Sequence, residues 1–272
     1  MQGLTPLIKR MQAELDKYEL AYPNTYVSDW FLVNICIAER QDKPCAGCKG
    51  YPCRKDTGQG YQHFVTVEGG KLNIRYRRCP YSAIANNKRV AKIPPMYADK
   101  TFADYKIDNG NSNAVKGAKL LQSLYLFGNP GTGKTFLAAI MANELLNQGK
   151  SVIFTDTPSL LDEMKNTFDR ESEATLEGIM NKLAKVDVLV LDDFGTETPT
   201  QWAVERLYLV INARYNAQKQ LIITSNYDLQ QAADRLNHPS KGEVGVTGSR
   251  IISRVRGLCK IAQISGQDKR RA

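Results

Sequence analysis

The sequence predicts an α/β protein in which a parallel sheet carries helices on both faces, preceded by a small helical and zinc-binding N-terminal region. From about residue 119, short apolar runs alternate with longer helical stretches. Such alternation is typical of parallel strands joined by crossover helices. Four cysteines within residues 45–79 distinguish the N-terminal part of the 272-residue chain.

The chain is expected to have three segments. Residues 1–85 combine a helical stretch with the cysteine-rich segment and are predicted to form a domain. Residues 86–118 contain a pair of prolines (Pro94–Pro95) and a run of Asp, Asn and Gly, which predict a linker. Residues 119–272 then form the sheet domain.

Each element of the sheet domain is predicted from its apolar pattern. Strands are expected at 120–127, 151–155, 186–191, 220–224 and 258–264. Helices are expected at 134–147, 158–168, 173–185, 200–218, 229–236 and 247–256. The run 186–191 is apolar apart from Asp187, which is typical of a strand that is buried on both faces.

Charge and hydropathy limit the classes of function. The net charge is +9, and residues 1–100 hold 16 Lys and Arg against 9 Asp and Glu. This basic excess indicates either an acidic partner, most often nucleic acid, or simply a soluble basic surface. No apolar run reaches about 18 residues, so we expect no membrane span. The amphipathic N-terminus lacks the apolar core of a signal peptide, which predicts a cytoplasmic protein.

A phosphate-binding loop (P-loop) is predicted between the first strand of the sheet and the next helix. Its glycines allow backbone N–H groups to face phosphate oxygens, and the helix N-terminus adds partial positive charge. Lys134 is expected to reach the β- and γ-phosphates, and the Thr135 hydroxyl to ligate Mg²⁺. The predicted ATP-binding residues are Gly128, Asn129, Pro130, Gly131, Thr132, Gly133, Lys134, Thr135 and Phe136.

Polar residues follow two later strands. Asp192 and Asp193 end an apolar strand, and we expect Asp192 to hold Mg²⁺ and Asp193 to polarise the attacking water. Asn226 lies just past the next strand and is placed to orient water near the γ-phosphate. Taken alone, each of these also fits an ordinary turn at a strand end. Their occurrence after a P-loop favours an ATPase.

The arrangement resembles the AAA+ ATPases, and more narrowly the bacterial helicase loaders of the DnaC and DnaI type and the related IstB proteins of transposition. The resemblance spans about residues 93–265. Besides the P-loop it rests on the turn at 192–195, the helix containing 207–215, the segment 223–226 and the helix 250–254.

The resemblance implies that an arginine of one subunit reaches the γ-phosphate held by its neighbour. Arg254 matches that position best and Arg250 second; a surface role in a basic run is the alternative. It also implies ATP-dependent self-association. Many AAA+ proteins have Glu at the position of Asp193, so the shorter side chain predicts slow hydrolysis.

The cysteine-rich segment predicts a Zn²⁺ site. Clustered thiols in a cytosolic chain are more typical of zinc than of disulfides. Four of five candidate residues would bind the Zn²⁺ ion, and the fourth ligand is either Cys53 or His63. The five candidates are Cys45, Cys48, Cys53, His63 and Cys79. DnaI-type loaders are similar in carrying an N-terminal zinc region that contacts the helicase.

Residues 71–92 contain seven Lys and Arg, no acidic residue and two interleaved tyrosines. Basic side chains neutralise phosphates and tyrosines stack on bases, so contact with single-stranded DNA is one interpretation. A solvated face, or a surface for an acidic protein, is the other.

The resemblance therefore implies an ATP-dependent loader that places a hexameric replicative helicase on single-stranded DNA. Two alternatives stay open. One is an IstB-like transposition helper ATPase that binds duplex DNA and a transposase. The other is a zinc-bearing adaptor that uses ATP as a structural switch.

Overall fold

A computed structural model describes residues 61–68, 71–168, 175–196, 200–238 and 245–269 of the chain. The chain divides into two compact units, Met1–Ala85 and Asn86–Ala272. In the first, β1 (Tyr61–Glu68) pairs antiparallel with β2 (Lys71–Arg78). This hairpin was missed from the sequence, although two glycines separate its strands. The helix α1 (Pro80–Val90) begins in the first unit and ends in the second.

The second unit contains a five-stranded parallel sheet in the described residues. Its strands are β3 (Leu124–Phe127), β4 (Val152–Asp156), β5 (Val188–Asp192), β6 (Gln220–Ser225) and β7 (Lys260–Gln263). They lie in the order β4–β5–β6–β3–β7, and every neighbouring pair is parallel. The predicted parallel sheet is confirmed, and the carboxyl ends of β5, β6 and β3 therefore lie side by side.

Helices cover both faces of this sheet, as predicted. Alternate strand residues point to opposite faces, so Leu124 and Leu126 pack in one core with α2 and α3, while Tyr125 packs in a second core with α4–α8. The helices are α2 (Ser112–Lys119), α3 (Lys134–Asn147), α4 (Thr157–Asn166), α5 (Leu176–Lys185), α6 (Gln201–Asn216), α7 (Leu229–Asn237) and α8 (Thr247–Leu258).

Side-chain caps fix where several of these helices begin. Asp156 accepts a hydrogen bond from the Ser159 backbone N–H at the start of α4, and Thr200 caps α6 in the same way. Asp228 caps α7 through two backbone N–H groups. Such caps satisfy N–H groups that have no partner within the helix.

The segment predicted as a linker, residues 86–118, belongs to the second unit and contributes to its core. Its small and aromatic residues are buried in one core with α3 and sheet residues, among them Ala91, Tyr105 and Ala114. Asn143 on α3 also donates to the carbonyls of Tyr97 and Lys100. The prolines begin a short 3₁₀ turn, so these residues form an ordered layer in place of a free tether.

The first strand of the sheet is shorter than predicted. It begins at Leu124, four residues after the predicted start at Leu120. Leu120 follows directly on α2, and Leu121 has a φ of 51°. A left-handed residue breaks extended structure, so the apolar run before Leu124 forms a turn.

Candidate functional site

The P-loop connects β3 to α3, and its shape requires glycine. Gly128, Gly131 and Gly133 have φ values of 147°, 78° and 95°. A Cβ at Gly128 would collide with the Ile264 carbonyl, and one at Gly131 with the Asp268 carboxylate. These positive φ angles are readily available only to glycine.

The other predicted loop residues differ in exposure. Asn129 and Pro130 are exposed. Thr132 is buried, and its hydroxyl donates to the Asn129 carbonyl at 2.9 Å. This bond within the loop helps to keep its backbone curled.

Lys134 joins the loop to the neighbouring strand. It is the first residue of α3 and is 5% exposed. Its Nζ donates to the carbonyls of Gly128 and Asn129, both at 2.8 Å, and to Asn226 Oδ1 at 2.9 Å. Two predicted site residues from distant parts of the sequence therefore meet at the mouth of the loop.

Asp192 receives two hydroxyl groups at the carboxyl end of β5. Thr135 Oγ1 donates to Asp192 Oδ1 at 2.9 Å, and Thr224 Oγ1 donates to the same oxygen. Burial raises the pKa of Asp192; the Thr224 bond opposes this, and the nearby charge of Asp193 adds to it. Hydroxyl and carboxylate oxygens are the ligands that Mg²⁺ prefers, and a dication would stabilise the carboxylate. The residues present fit the predicted magnesium site.

Asp193 lies on a turn that is fastened to β6. It is exposed and has a φ of 52°. Its backbone N–H donates to Thr224 Oγ1 at 3.1 Å, and the Phe194 N–H donates to the Thr224 carbonyl at 2.8 Å. Ser225 Oγ in turn donates to the Phe194 carbonyl at 2.7 Å. Thr224 therefore holds both aspartates, a role that the sequence analysis did not assign to it.

Arg235 on α7 holds the same turn from the other side. Its Nε donates to the Gly195 carbonyl at 2.8 Å and an Nη to the Thr196 carbonyl at 3.3 Å. Its guanidinium lies 4.5 Å from the centroid of the Tyr227 ring. The role of Arg235 was not predictable from the sequence, because its hydrogen-bond partners here are carbonyl groups that any residue supplies.

Phe136 packs in an aromatic group that the ordered segment 86–118 completes. Its ring centroid lies 5.3 Å from that of Tyr97 and 5.6 Å from that of Tyr105. Burial raises the pKa of Tyr105 to about 12, and its hydroxyl donates to the Gly133 carbonyl at 3.4 Å. These aromatic rings therefore contact the first turn of α3 and the residue before it.

Arg254 lies on α8 and is held by neutral groups. Its Nε donates to Asn212 Oδ1 at 2.5 Å, and Nη2 donates to the Tyr208 hydroxyl at 3.1 Å. Its Nη1 donates to the Arg250 carbonyl at 3.2 Å, whereas the Arg250 side chain is exposed. The structure thus brings Lys134, Asn226, Thr135 and Asp192 together and keeps Arg254 in a separate cluster.

Comparison of sequences identifies the family. Residues 80–272 match the profile of the family described as IstB-like ATP binding protein, which is more than half of the chain. The chain belongs to the IstB-like ATP-binding proteins. This confirms the predicted binding of ATP, and the chain is an ATPase.

Individual relatives of this IstB-like protein carry names from replication. It is 26% identical to the replicative helicase loader DnaI of Bacillus subtilis over 250 residues, covering 85% of this chain and 79% of that relative. It is 28% identical to the replicative helicase loader DnaC of Escherichia coli over 173 residues, covering 60% of this chain and 66% of that relative.

A solved structure supports the fold. A crystal structure of DnaI matches this IstB-like protein with a TM-score of 0.56 and 26% identity, covering 68% of this chain and 99% of that chain. The prediction of an AAA+-like α/β domain is confirmed.

The predicted zinc ligands of this IstB-like protein fall largely outside the described residues. Cys45, Cys48 and Cys53 all do; His63 lies in β1, and Cys79 is buried directly after β2. Within the part that the structure describes, no three His, Cys, Asp or Glu side chains form a group that could hold a metal ion. That same part contains no helix long and apolar enough to cross a membrane.

Proposed function

We propose that this protein is an ATP-dependent loader of the replicative DNA helicase. The observation that carries the proposal is the match to DnaI, which covers 85% of the chain. The family match, residues 80–272, accounts for less than three quarters of the chain. The likeness to the loader therefore extends into residues that precede the ATPase unit.

ATP would bind with its phosphates along the P-loop. Lys134 would exchange its carbonyl acceptors for phosphate oxygens, which are stronger acceptors because they are charged. Mg²⁺, held by Thr135 and Asp192, would neutralise charge on the β- and γ-phosphates. Asp193 would orient the attacking water. Asn226, which accepts from Lys134 at 2.9 Å, would keep the ammonium group directed to the γ-phosphate.

Hydrolysis would depend on assembly. Arg254 would reach the ATP of a neighbouring copy, where its positive charge would stabilise the charge on the transferring phosphoryl group. The hydrogen bonds of Arg254 support the proposal. They run to Asn212 and Tyr208 on α6 and to the Arg250 carbonyl one turn earlier on α8, and none of these three partners belongs to the P-loop of the same chain. Copies would therefore associate when ATP is bound, and turnover would rise with protein concentration.

The N-terminal region would bind the hexameric helicase. Zn²⁺ held by four of the five candidate ligands would fold a segment that is poor in apolar residues. The basic residues of β2 and α1 would contact single-stranded DNA during loading.

Zinc content is directly measurable. Purified protein containing residues 1–272 is expected to contain about one zinc per chain, because structural zinc sites bind the metal with about 10–16 kcal/mol and retain it through purification. Replacing Cys45 and Cys48 with Ser should remove the metal, whereas Cys259→Ser, at a buried thiol of the sheet domain, should retain it. Metal-free wild-type protein, purified without chelator, would end the zinc proposal.

A transposition helper is the second candidate, since the family takes its description from IstB. Mixing with the replicative helicase of the source organism, followed by light scattering with and without ATP, separates the two. A loader forms a complex with the hexamer that is lost on removing residues 1–85. Absence of a complex, with ATP turnover raised by duplex DNA, would favour the transposition helper.

A further inference from the structure

The Arg254 side chain has an unusual set of partners. Tyr208 and Asn212 lie one turn apart on α6, so their side chains share the face that meets α8. The Asn212 amide oxygen accepts from Nε at 2.5 Å, and the Tyr208 hydroxyl from Nη2 at 3.1 Å. The guanidinium also lies 4.9 Å from the Tyr208 ring centroid. With the Arg250 carbonyl on Nη1, every nitrogen of Arg254 is oriented.

The partners are all uncharged. An amide oxygen, a hydroxyl and a carbonyl fix the orientation of a guanidinium without neutralising its charge, whereas a carboxylate would do both. A guanidinium has five N–H groups, and these three bonds use one on each nitrogen. Each terminal nitrogen of Arg254 therefore keeps one further N–H beyond these bonds, and the positive charge stays available to an incoming anion.

We propose that Tyr208 and Asn212 are positioning residues that hold Arg254 in the orientation in which it meets ATP on a neighbouring copy. This inference rests on the proposed action of Arg254 in trans. A long arginine side chain samples many rotamers in solution, so fixing it in one orientation costs conformational entropy. If the side chain is ordered beforehand, the catalytic step does not bear that cost. Asn212 and Tyr208 supply that order from a helix that is itself packed on the sheet.

The cluster is not needed to join the two helices. α6 and α8 already pack through buried apolar side chains of one core, including Leu207, Ile211, Ile251 and Val255. The polar cluster lies beside this contact and is additional to the apolar packing that joins the helices. Its geometry is better explained by what it does to Arg254.

A mixing experiment tests the inference. Arg254→Ala copies keep an intact P-loop but lack the arginine, and Lys134→Ala copies keep Arg254 but cannot turn over ATP. Mixed assemblies should hydrolyse ATP only where a Lys134→Ala copy supplies Arg254 to its neighbour. Adding Asn212→Ala to the Lys134→Ala copy should lower the restored turnover about ten- to hundredfold, since a misplacement of about 1 Å costs up to about 10²-fold.

Three further Lys134→Ala copies, each with one additional substitution on α6, separate positioning from a purely structural role. Asn212→Asp keeps the acceptor and should preserve the melting temperature, yet its carboxylate neutralises Arg254, so restored turnover should still fall at least about tenfold. Glu205→Ala, an exposed change on the same helix, is the matched control and should restore turnover fully. Tyr208→Phe keeps the ring and removes only the hydroxyl, so an intermediate loss is expected.

The outcomes of the two proposals are distinguishable. If Lys134→Ala and Arg254→Ala copies fail to restore each other, the action of Arg254 in trans is wrong, and the positioning inference falls with it. If they restore turnover and the Asn212→Ala and Asn212→Asp donors do so equally well, only the positioning inference is overturned.

Discussion

At the scale of single residues, the Thr224 hydroxyl connects the two aspartates of the site. It donates to Asp192 and accepts the Asp193 N–H, so one oxygen fixes the carboxylate proposed for Mg²⁺ and the turn proposed to orient water. Both aspartates were predictable from the sequence because they end an apolar strand. Thr224 was not, because a threonine within a strand is ordinary and only the pairing of β5 with β6 brings it close to Asp192.

Thr224→Val tests this connection. The valine keeps the shape but leaves Asp192 with one hydroxyl donor fewer, so we expect ATP turnover to fall at least about tenfold, equivalent to about 1.4 kcal/mol. Stability should fall by about 1.5–3 kcal/mol, because hydrogen bonds to charged groups contribute about that much. Thr155→Val on β4 is the matched control. It also removes a strand hydroxyl, but that hydroxyl donates to the Asp156 carbonyl at 3.2 Å and not to the Asp192 carboxylate. Equal turnover of the Thr224 variant and wild type would contradict the role.

The effect of Asp192→Asn on the stability of the protein should change sign when nucleotide is added. Burial raises the pKa of Asp192, so its contribution is most favourable at low pH and is lost as the pH rises through the raised pKa. At pH 7 without nucleotide, the neutral variant should therefore be more stable than wild type, by about 0.5–2 kcal/mol.

With Mg²⁺ and ATP the wild type should become the more stable protein, because a ligand stabilises the folded state that binds it. Thermal melts of both proteins, with and without Mg-ATP, show which protein is the more stable under each condition. A variant that is less stable than wild type under both conditions would show that burial of the Asp192 charge is not a cost to the fold.

At the scale of elements, Arg214 ties helices to strands at the opposite end of the sheet from the nucleotide site. It is fully buried on α6, and its guanidinium donates to four main-chain carbonyls at 2.5–3.1 Å. The carbonyls belong to Leu183, Val186, Asp187 and Gln220. Burial lowers the pKa of Arg214 to about 10, so the side chain stays charged at pH 7.

Arg214→Ala should lower the free energy of unfolding by at least about 3 kcal/mol, because removing a buried charged partner leaves the carbonyls unpaired. Urea denaturation measures this loss. Arg256→Ala, at an exposed position of α8, should change stability by less than about 0.5 kcal/mol. Similar values for the two variants would contradict a structural role for Arg214.

Helices and strands were predictable to the extent that they followed local patterns. The range of α3, Lys134–Asn147, was predicted as observed, because a P-loop determines its start and a glycine follows its end. Residues 86–118 were not, since their prolines and polar residues favour a linker. Their scattered apolar side chains become buried only in the tertiary fold, in one core with α3 and the sheet. The contacts of Arg235 and Arg214 with carbonyls leave no trace in the sequence.

At the scale of the whole molecule, the ATPase unit and the region before it are expected to act on one target. In the proposed function, the P-loop and its neighbouring carboxylates would set when the protein binds and hydrolyses ATP. Residues 1–85 would set what it binds. A loader of the proposed kind would combine both roles.

Loading on closed circular single-stranded DNA tests the account most directly, because a helicase ring cannot thread onto a circle without being opened. The circle carries an annealed strand, and its release by the replicative helicase of the source organism is followed by fluorescence. Wild-type protein with ATP should accelerate release strongly, whereas Lys134→Ala and protein lacking residues 1–85 should not. Equal release with and without the wild-type protein would contradict the proposed function.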